Sequence, residues 1–156
     1  MQTNEKLTEV LNGLIEINHD RVNGYEKAIE ETKDLDLDLR AIFRSMANDS
    51  SNYAAELSKL VIELGETPAD GTTNSGKLYR VWMDIKSTFT GHDRESVLEL
   101  CEFGEDAAQK AYKAAIASDA EMSAEIRQLI AEQQAKLKTS HDIIKKYRDV
   151  HKAVDA

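Results

Sequence analysis

The sequence predicts an all-α fold, an antiparallel four-helix bundle with a long crossover between its second and third helices. Three observations carry this. Apolar residues recur at steps of three and four along most of the 156 residues, the period of a helix buried along one stripe. The chain has only 7 glycines and 1 proline, too few breakers for a sandwich or barrel, which turns about every ten residues. Four of these breakers fall in one stretch, Gly65 to Gly76 (GETPADGTTNSG), the only real loop. The length is that of one domain, spanning residues 1–156.

The first helix is expected over about 4–33. Leu7, Val10, Leu11, Leu14, Ile17, Val22, Tyr25, Ala28 and Ile29 mark its stripe, with Thr3 or Asn4 as N-cap. The run from Leu35 to Leu39 alternates apolar and acidic residues but is short, and reads as a turn. The second helix, about 37–64, places Leu39, Ile42, Phe43, Met46, Tyr53, Leu57, Leu60, Val61 and Leu64 inward, with the polar Ser50 on the same stripe. Gly65 then stands where a helix end favours a left-handed residue. A short helix over about 75–89 carries Trp82 and Phe89 on one face, which predicts a crossover docked on the bundle. The third helix, about 93–117, runs through Val97, Leu98, Cys101, Glu105, Ala108, Tyr112 and Ala115. The fourth, about 119–150, runs through Ile126, Leu129, Ile130, Gln133, Leu137, His141, Ile144 and Tyr147. Short turns make each pair an antiparallel hairpin. The segment from Gly65 to about His92 is long enough to cross helices of about 40 Å. The alternative is an up-down bundle in which 77–90 simply extends helix three.

The two hairpins look alike. A shift of 87 residues lays Tyr25 on Tyr112, Ala28 on Ala115 and Ile29 on Ile116, with Tyr53 opposite His141 in a looser match of helices two and four. The pattern fits a duplicated helix hairpin and a pseudo-twofold bundle.

The run F-R-x-x-A-x-x-x-x-x-Y-A-x-x-L from Phe43 to Leu57 resembles helix two of rubrerythrin-type proteins of the ferritin-like superfamily. Tyr25-Glu26 with Ala28, and Gly104-Glu105-Asp106 with Tyr112, are similar to their helices one and three. Gly76 to Lys86 (GKLYRVWMDIK) with Thr90-Gly91 resembles a bacterial ferritin-like four-helix family with no assigned function. The resemblance covers nearly the whole chain and implies the one-crossover topology. A dinuclear carboxylate site needs an inward Glu on two helices and Glu-x-x-His on the other two. By the resemblance these ligands fall at Asn18, Ser50, Tyr53, Glu105, Lys138 and His141, and only Glu105 and His141 are of the required type. The site is therefore expected to be degenerate. The chain's one Glu-x-x-His, Glu16 with His19, points away from the stripe and reads as a solvated pair. Asn18, Ser50, Tyr53, Glu105 and His141 are expected instead to form a polar layer across the core. In it Glu105 stays uncharged or pairs with His141 or Lys138.

Composition narrows the function. A formal charge of −9 repels a phosphate backbone, so nucleic acid is not an expected partner. The charge is uneven, −6 over 1–64, −4 over 65–119 and +1 over 120–156, so the last segment can contact the acidic first part within the fold or in a homo-oligomer. No apolar run of about 18 residues occurs, so no membrane partner is expected. A single cysteine, Cys101, and a start at Met1 to Glu5 without a basic or apolar run predict a cytoplasmic protein. Cys101 sits among Glu99, Glu102 and Glu105, which keep a buried thiol inert. His19-Asp20 and His141-Asp142 are helix neighbours whose side chains diverge, so neither makes a catalytic dyad. No catalytic residue and no cofactor is expected. The leading reading is a non-catalytic bundle with a structural, stress-associated or protein-interaction role. The alternative is a metalloprotein that binds iron or another divalent metal for redox or storage through Glu105, His141 and Asp20. A third reading is a helical adaptor whose exposed stripe binds a protein partner.

Overall fold

A computed structural model describes residues 2–31, 37–71 and 94–155. They form four helices: α1 Gln2–Glu31, α2 Leu37–Glu63, α3 Arg94–Ala117 and α4 Ala124–Asp155, with no strand among the described residues. The expected turn at 32–36 and the crossover helix with Trp82, Phe89 and His92 lie outside the described residues.

Local chemistry sets the helix ends. Gly65 has φ +80°, a conformation that a Cβ would strain. Its N–H bonds the carbonyl of Ile62 and the N–H of Glu66 bonds that of Val61, the paired closure of a left-handed helix end. The other ends moved from expectation. α1 begins at Gln2, so Thr3 and Asn4 lie inside the helix. α4 begins five residues later than 119, because Ser123 caps it: its Oγ accepts from the N–H of Ile126 at 3.2 Å, and its carbonyl accepts from Arg127 at 3.0 Å.

Pair contacts define directions. Arg21 on α1 meets Ser50 on α2, while Asn12 bonds Thr67 and Ala69 just beyond α2, so α1 and α2 are antiparallel. Asn18 meets Tyr112, Arg21 meets Glu105, and Lys6 reaches Asp119, so α1 and α3 are antiparallel as well. Tyr112 meets Gln133 and Glu102 meets Arg148, which sets α4 against α3. It follows that α2 and α3 run parallel. The close helix pairs are α1–α2, α3–α4, α1–α3 and, more sparsely, α2–α4; α1–α4 and α2–α3 make no close approach among the described residues. The end of α2 and the start of α3 therefore lie at opposite ends of the bundle.

Among the described residues the core forms two apolar clusters. One holds Leu7, Leu11, Leu14, Leu57, Val61, Ala115, Ile130 and Leu137. The other holds Ala28, Leu39, Phe43, Met46, Leu98, Cys101 and Ile144. Burying each Leu, Ile or Phe side chain is worth about 1.5–3 kcal/mol. Between the clusters all four helices turn polar side chains inward.

Candidate functional site

The polar layer is built from the stripes themselves. On α1 the inward positions 14, 18, 21, 25 and 28 follow steps of four and three, and they carry Leu14, Asn18, Arg21, Tyr25 and Ala28, all buried. α2 adds Ser50 and Tyr53, α3 adds Glu105 and Tyr112, and α4 adds Gln133 and Ser140, also buried. Each side chain lands in the layer because its helix presents that phase to the centre.

Arg21 dominates the layer. It and Glu105 have 0% side-chain exposure and form an ion pair through Nη2 and Oε1. Nη1 of Arg21 donates to Ser50 Oγ, and Tyr25 OH donates to the same Glu105 oxygen. The guanidinium also lies over the Tyr25 ring, 5.4 Å from its centroid. Burial works against the cation, but Glu105 and Tyr25 more than offset it and hold Arg21 above its usual range. Burial first, and Glu105 second, push the Tyr25 phenol and the Cys101 thiol well up.

A second chain of bonds adjoins this pair. Asn18 Nδ2 donates to Tyr112 OH at 2.9 Å, and Tyr112 OH donates to Gln133 Oε1 at 2.7 Å. Gln133 Nε2 reaches the Tyr53 carbonyl and Glu56, each at 3.4 Å. Burial pushes Tyr112 up, and burial with the Asp49 carboxylate pushes Tyr53 up to about 12. Over this end of the layer a groove of ≈ 510 Å³ opens between α2 and α4, lined in part by Asp49, Asn52 and Glu56.

Two of these bonds join positions that the 87-residue shift relates to one another. Tyr25 bonds Glu105 and Tyr112 bonds Asn18. The 87-residue shift that lays Tyr25 on Tyr112 also lays Asn18 on Glu105. Arg21 breaks the symmetry, because its counterpart is Ala108.

Of the six positions singled out in the sequence, Asn18, Ser50, Tyr53 and Glu105 come together in the layer. His141 and Lys138 do not. His141 is 21% exposed and pairs with Asp106 on the flank of α3, and Lys138 is 71% exposed and meets Asp142 at 3.6 Å. The inward positions on α4 are Leu137, Ser140 and Ile144; Ser140, the polar one among them, is one residue and about 100° away from His141. Glu105 accordingly pairs with Arg21, not with His141 or Lys138. Asp20 is buried. Glu16 and His19 are partly exposed; His19 Nδ1 lies 2.7 Å from the Gly71 carbonyl. Sequence reasoning missed Arg21. Its signal was its place, three residues after Asn18 and four before Tyr25. Val22 was assigned to the stripe in its stead and is only half-buried.

As chemistry, Glu105, the carboxylate that among the described residues pairs with Arg21, already holds a guanidinium that cannot lose its charge. Two divalent ions need several carboxylates and no resident cation, so this donor set does not fit a dinuclear centre. Among the described residues it holds no nucleophile with a base in reach: Ser50 faces a cation, and burial pushes the Cys101 thiol up.

Fold and site together define an all-helical bundle with a hydrogen-bonded polar layer through its core. The chain belongs to the family described as Domain of unknown function (DUF2383), whose model matches residues 6–118. That span includes Arg21, Ser50 and Glu105, while α4 lies beyond it. No curated protein matches the sequence. No helix of the described residues is long and apolar enough to cross a membrane.

Proposed function

We propose that this chain is a ferritin-like bundle in which a protein ion pair has taken the place of a metal centre. Its role is then structural, stress-associated or one of protein interaction, without catalysis. The ferritin-like part is supported by helix order: α2 and α3 are parallel and far apart, and α1 lies between α2 and α3. An up-down bundle would instead put α2 beside α3, whereas one long connection between them accounts for the observed neighbours. The observation that carries the functional reading is Arg21, wholly buried against Glu105 and Ser50. A guanidinium in that place supplies the positive charge that a metal would, and it is a permanent part of the chain.

A redox or storage metalloprotein needs its ligands in the core, and there, among the described residues, Glu105 is the carboxylate that holds Arg21. Elemental analysis of tag-free protein separates the two readings. The proposal expects no metal whose retention depends on Glu105; a stoichiometric metal lost in Glu105→Gln contradicts it. Light scattering and affinity capture with the whole chain then bear on the interaction role. A strictly monomeric chain with no captured protein would confine the role to structure.

A further inference from the structure

Outside the core, among the described residues, one cluster of side chains has the composition of a metal site. Glu102 and Asp106 stand one turn apart on α3 and project on one face. His141 of α4 faces them, its Nε2 2.6 Å from Asp106 Oδ1. One ligand atom from each of the three residues lies within 4.8 Å of the others. We propose that Glu102, Asp106 and His141 bind a single borderline divalent cation, Zn²⁺ or a similar first-row ion, which ties α4 to α3 on the flank of the bundle.

The donor set decides the class of ion. Two carboxylates and an imidazole suit zinc and its first-row neighbours, with water completing the shell. They do not suit calcium, which takes six to eight oxygens, or magnesium, which prefers oxygen and retains its water. Zinc bonds of about 2.0–2.2 Å put the ligand atoms of a tetrahedral ion about 3.3–3.6 Å apart. To reach that geometry from the present cluster, the 2.6 Å contact of His141 with Asp106 opens, and the ligand atoms, now within 4.8 Å of one another, settle around the ion.

The surroundings are those of a held ligand. Contrary to the divergence expected of helix neighbours, His141 Nδ1 lies 3.3 Å from Asp142 Oδ1, and Asp142 is in turn met by Lys138. A metal-binding histidine characteristically gives its far N–H to a carboxylate, which fixes the ring and leaves the other nitrogen for the ion. Glu102 is held by Arg148 through Oε2; a carboxylate can keep a guanidinium on one oxygen and offer the other. Glu102 and His141 are only 15% and 21% exposed, so two of the three ligands are already restrained. The negative groups around the ion are Glu102, Asp106 and Asp142, and Arg148 and Lys138 oppose them. These charges all lie outside the Arg21–Glu105 layer.

The test is calorimetric titration of tag-free, metal-stripped whole chain with Zn²⁺, with Mg²⁺ as the control. One Zn²⁺ per chain is expected, with no binding of Mg²⁺, and with binding abolished in His141→Ala and in Asp106→Asn. Asp142→Ala should weaken it by about 10–100-fold through loss of the orienting bond. Glu105→Gln, titrated at a temperature where it is folded, should still bind one Zn²⁺ per chain. Circular dichroism confirms that each variant is folded, and two independent ligand variants guard against one that is not. Absence of saturable Zn²⁺ binding, or binding that survives both ligand variants, overturns the proposal and leaves the core reading intact. Binding lost in Glu105→Gln but kept in His141→Ala would place the ion in the core and overturn both.

Discussion

Removing Glu105 should cost this protein much of its stability, although Glu105→Leu replaces a buried charge with an apolar side chain of similar size. The reason is Arg21, which has no exposure to water and whose ionic partner is Glu105. A carboxylate left alone can take up a proton, but a guanidinium cannot release one. Glu105→Leu therefore strands a cation in low dielectric. Breaking a buried pair from one side costs about 3–5 kcal/mol. At about 2–4 °C per kcal/mol for a domain of this length, the melting temperature should fall by about 6–20 °C. Arg21→Met should cost somewhat less, because Glu105 can neutralise. The double variant Arg21→Met/Glu105→Leu removes both charges at once and should recover most of the loss, as replacing whole buried pairs does. Urea unfolding followed at 222 nm gives the four free energies. We expect a coupling of about 2 kcal/mol or more between the two positions. Single variants that each cost under about 1 kcal/mol, with no coupling, would refute the ion pair as the organising contact of the core.

Other outcomes follow from the same structure. Gly65→Ala should destabilise by about 1–2 kcal/mol in the same urea assay, because an L side chain is strained at φ +80°; an unchanged midpoint would remove the left-handed helix end. Cys101 should resist a thiol reagent at pH 8 in the folded chain and react fully in urea, since burial and Glu105 raise its pKa; rapid reaction in the native state would contradict this. Tyr25, Tyr53 and Tyr112 titrate above their usual range, Tyr53 at about 12. Their contribution to stability is complete below pH 10, the unfolded value, and is lost as the pH rises through the raised folded values. Phenolate absorbance at 295 nm should therefore show three groups ionising late, and an ordinary titration near pH 10 for all of them would argue against burial.

The regular parts of this structure were legible because helical period is a strong signal. The stripes on α2 and α3, Phe43-Met46-Ser50-Tyr53-Leu57 and Leu98-Cys101-Glu105-Ala108-Tyr112, are buried as the spacing predicts. So was the polar belt at Asn18, Ser50 and Glu105, because polar residues standing in an apolar series mark a layer. Arg21 was not read, since a lone arginine on a helix is ordinarily solvated. Its burial depends on a carboxylate 84 positions away, and the period of one helix says nothing of a partner on another. The inward phase of α4 was misjudged for a related reason. Ser140 and His141 are both compatible with a stripe through Leu137 and Ile144, and the imidazole turned outward to Asp106 while the small hydroxyl took the core. The start of α4 depended on a cap, Ser123, which lies four residues beyond the expected boundary.

The central claim is that a guanidinium–carboxylate pair holds the place where a ferritin-like bundle would carry metal. It is tested most directly by loading tag-free protein with ferrous iron in air and following near-ultraviolet absorbance and bound iron, for the wild type and for Glu105→Gln. The account predicts no absorption from an oxo-bridged iron pair, and no bound iron that depends on Glu105. Two irons held tightly per chain, with such absorption, and lost in Glu105→Gln, would contradict it.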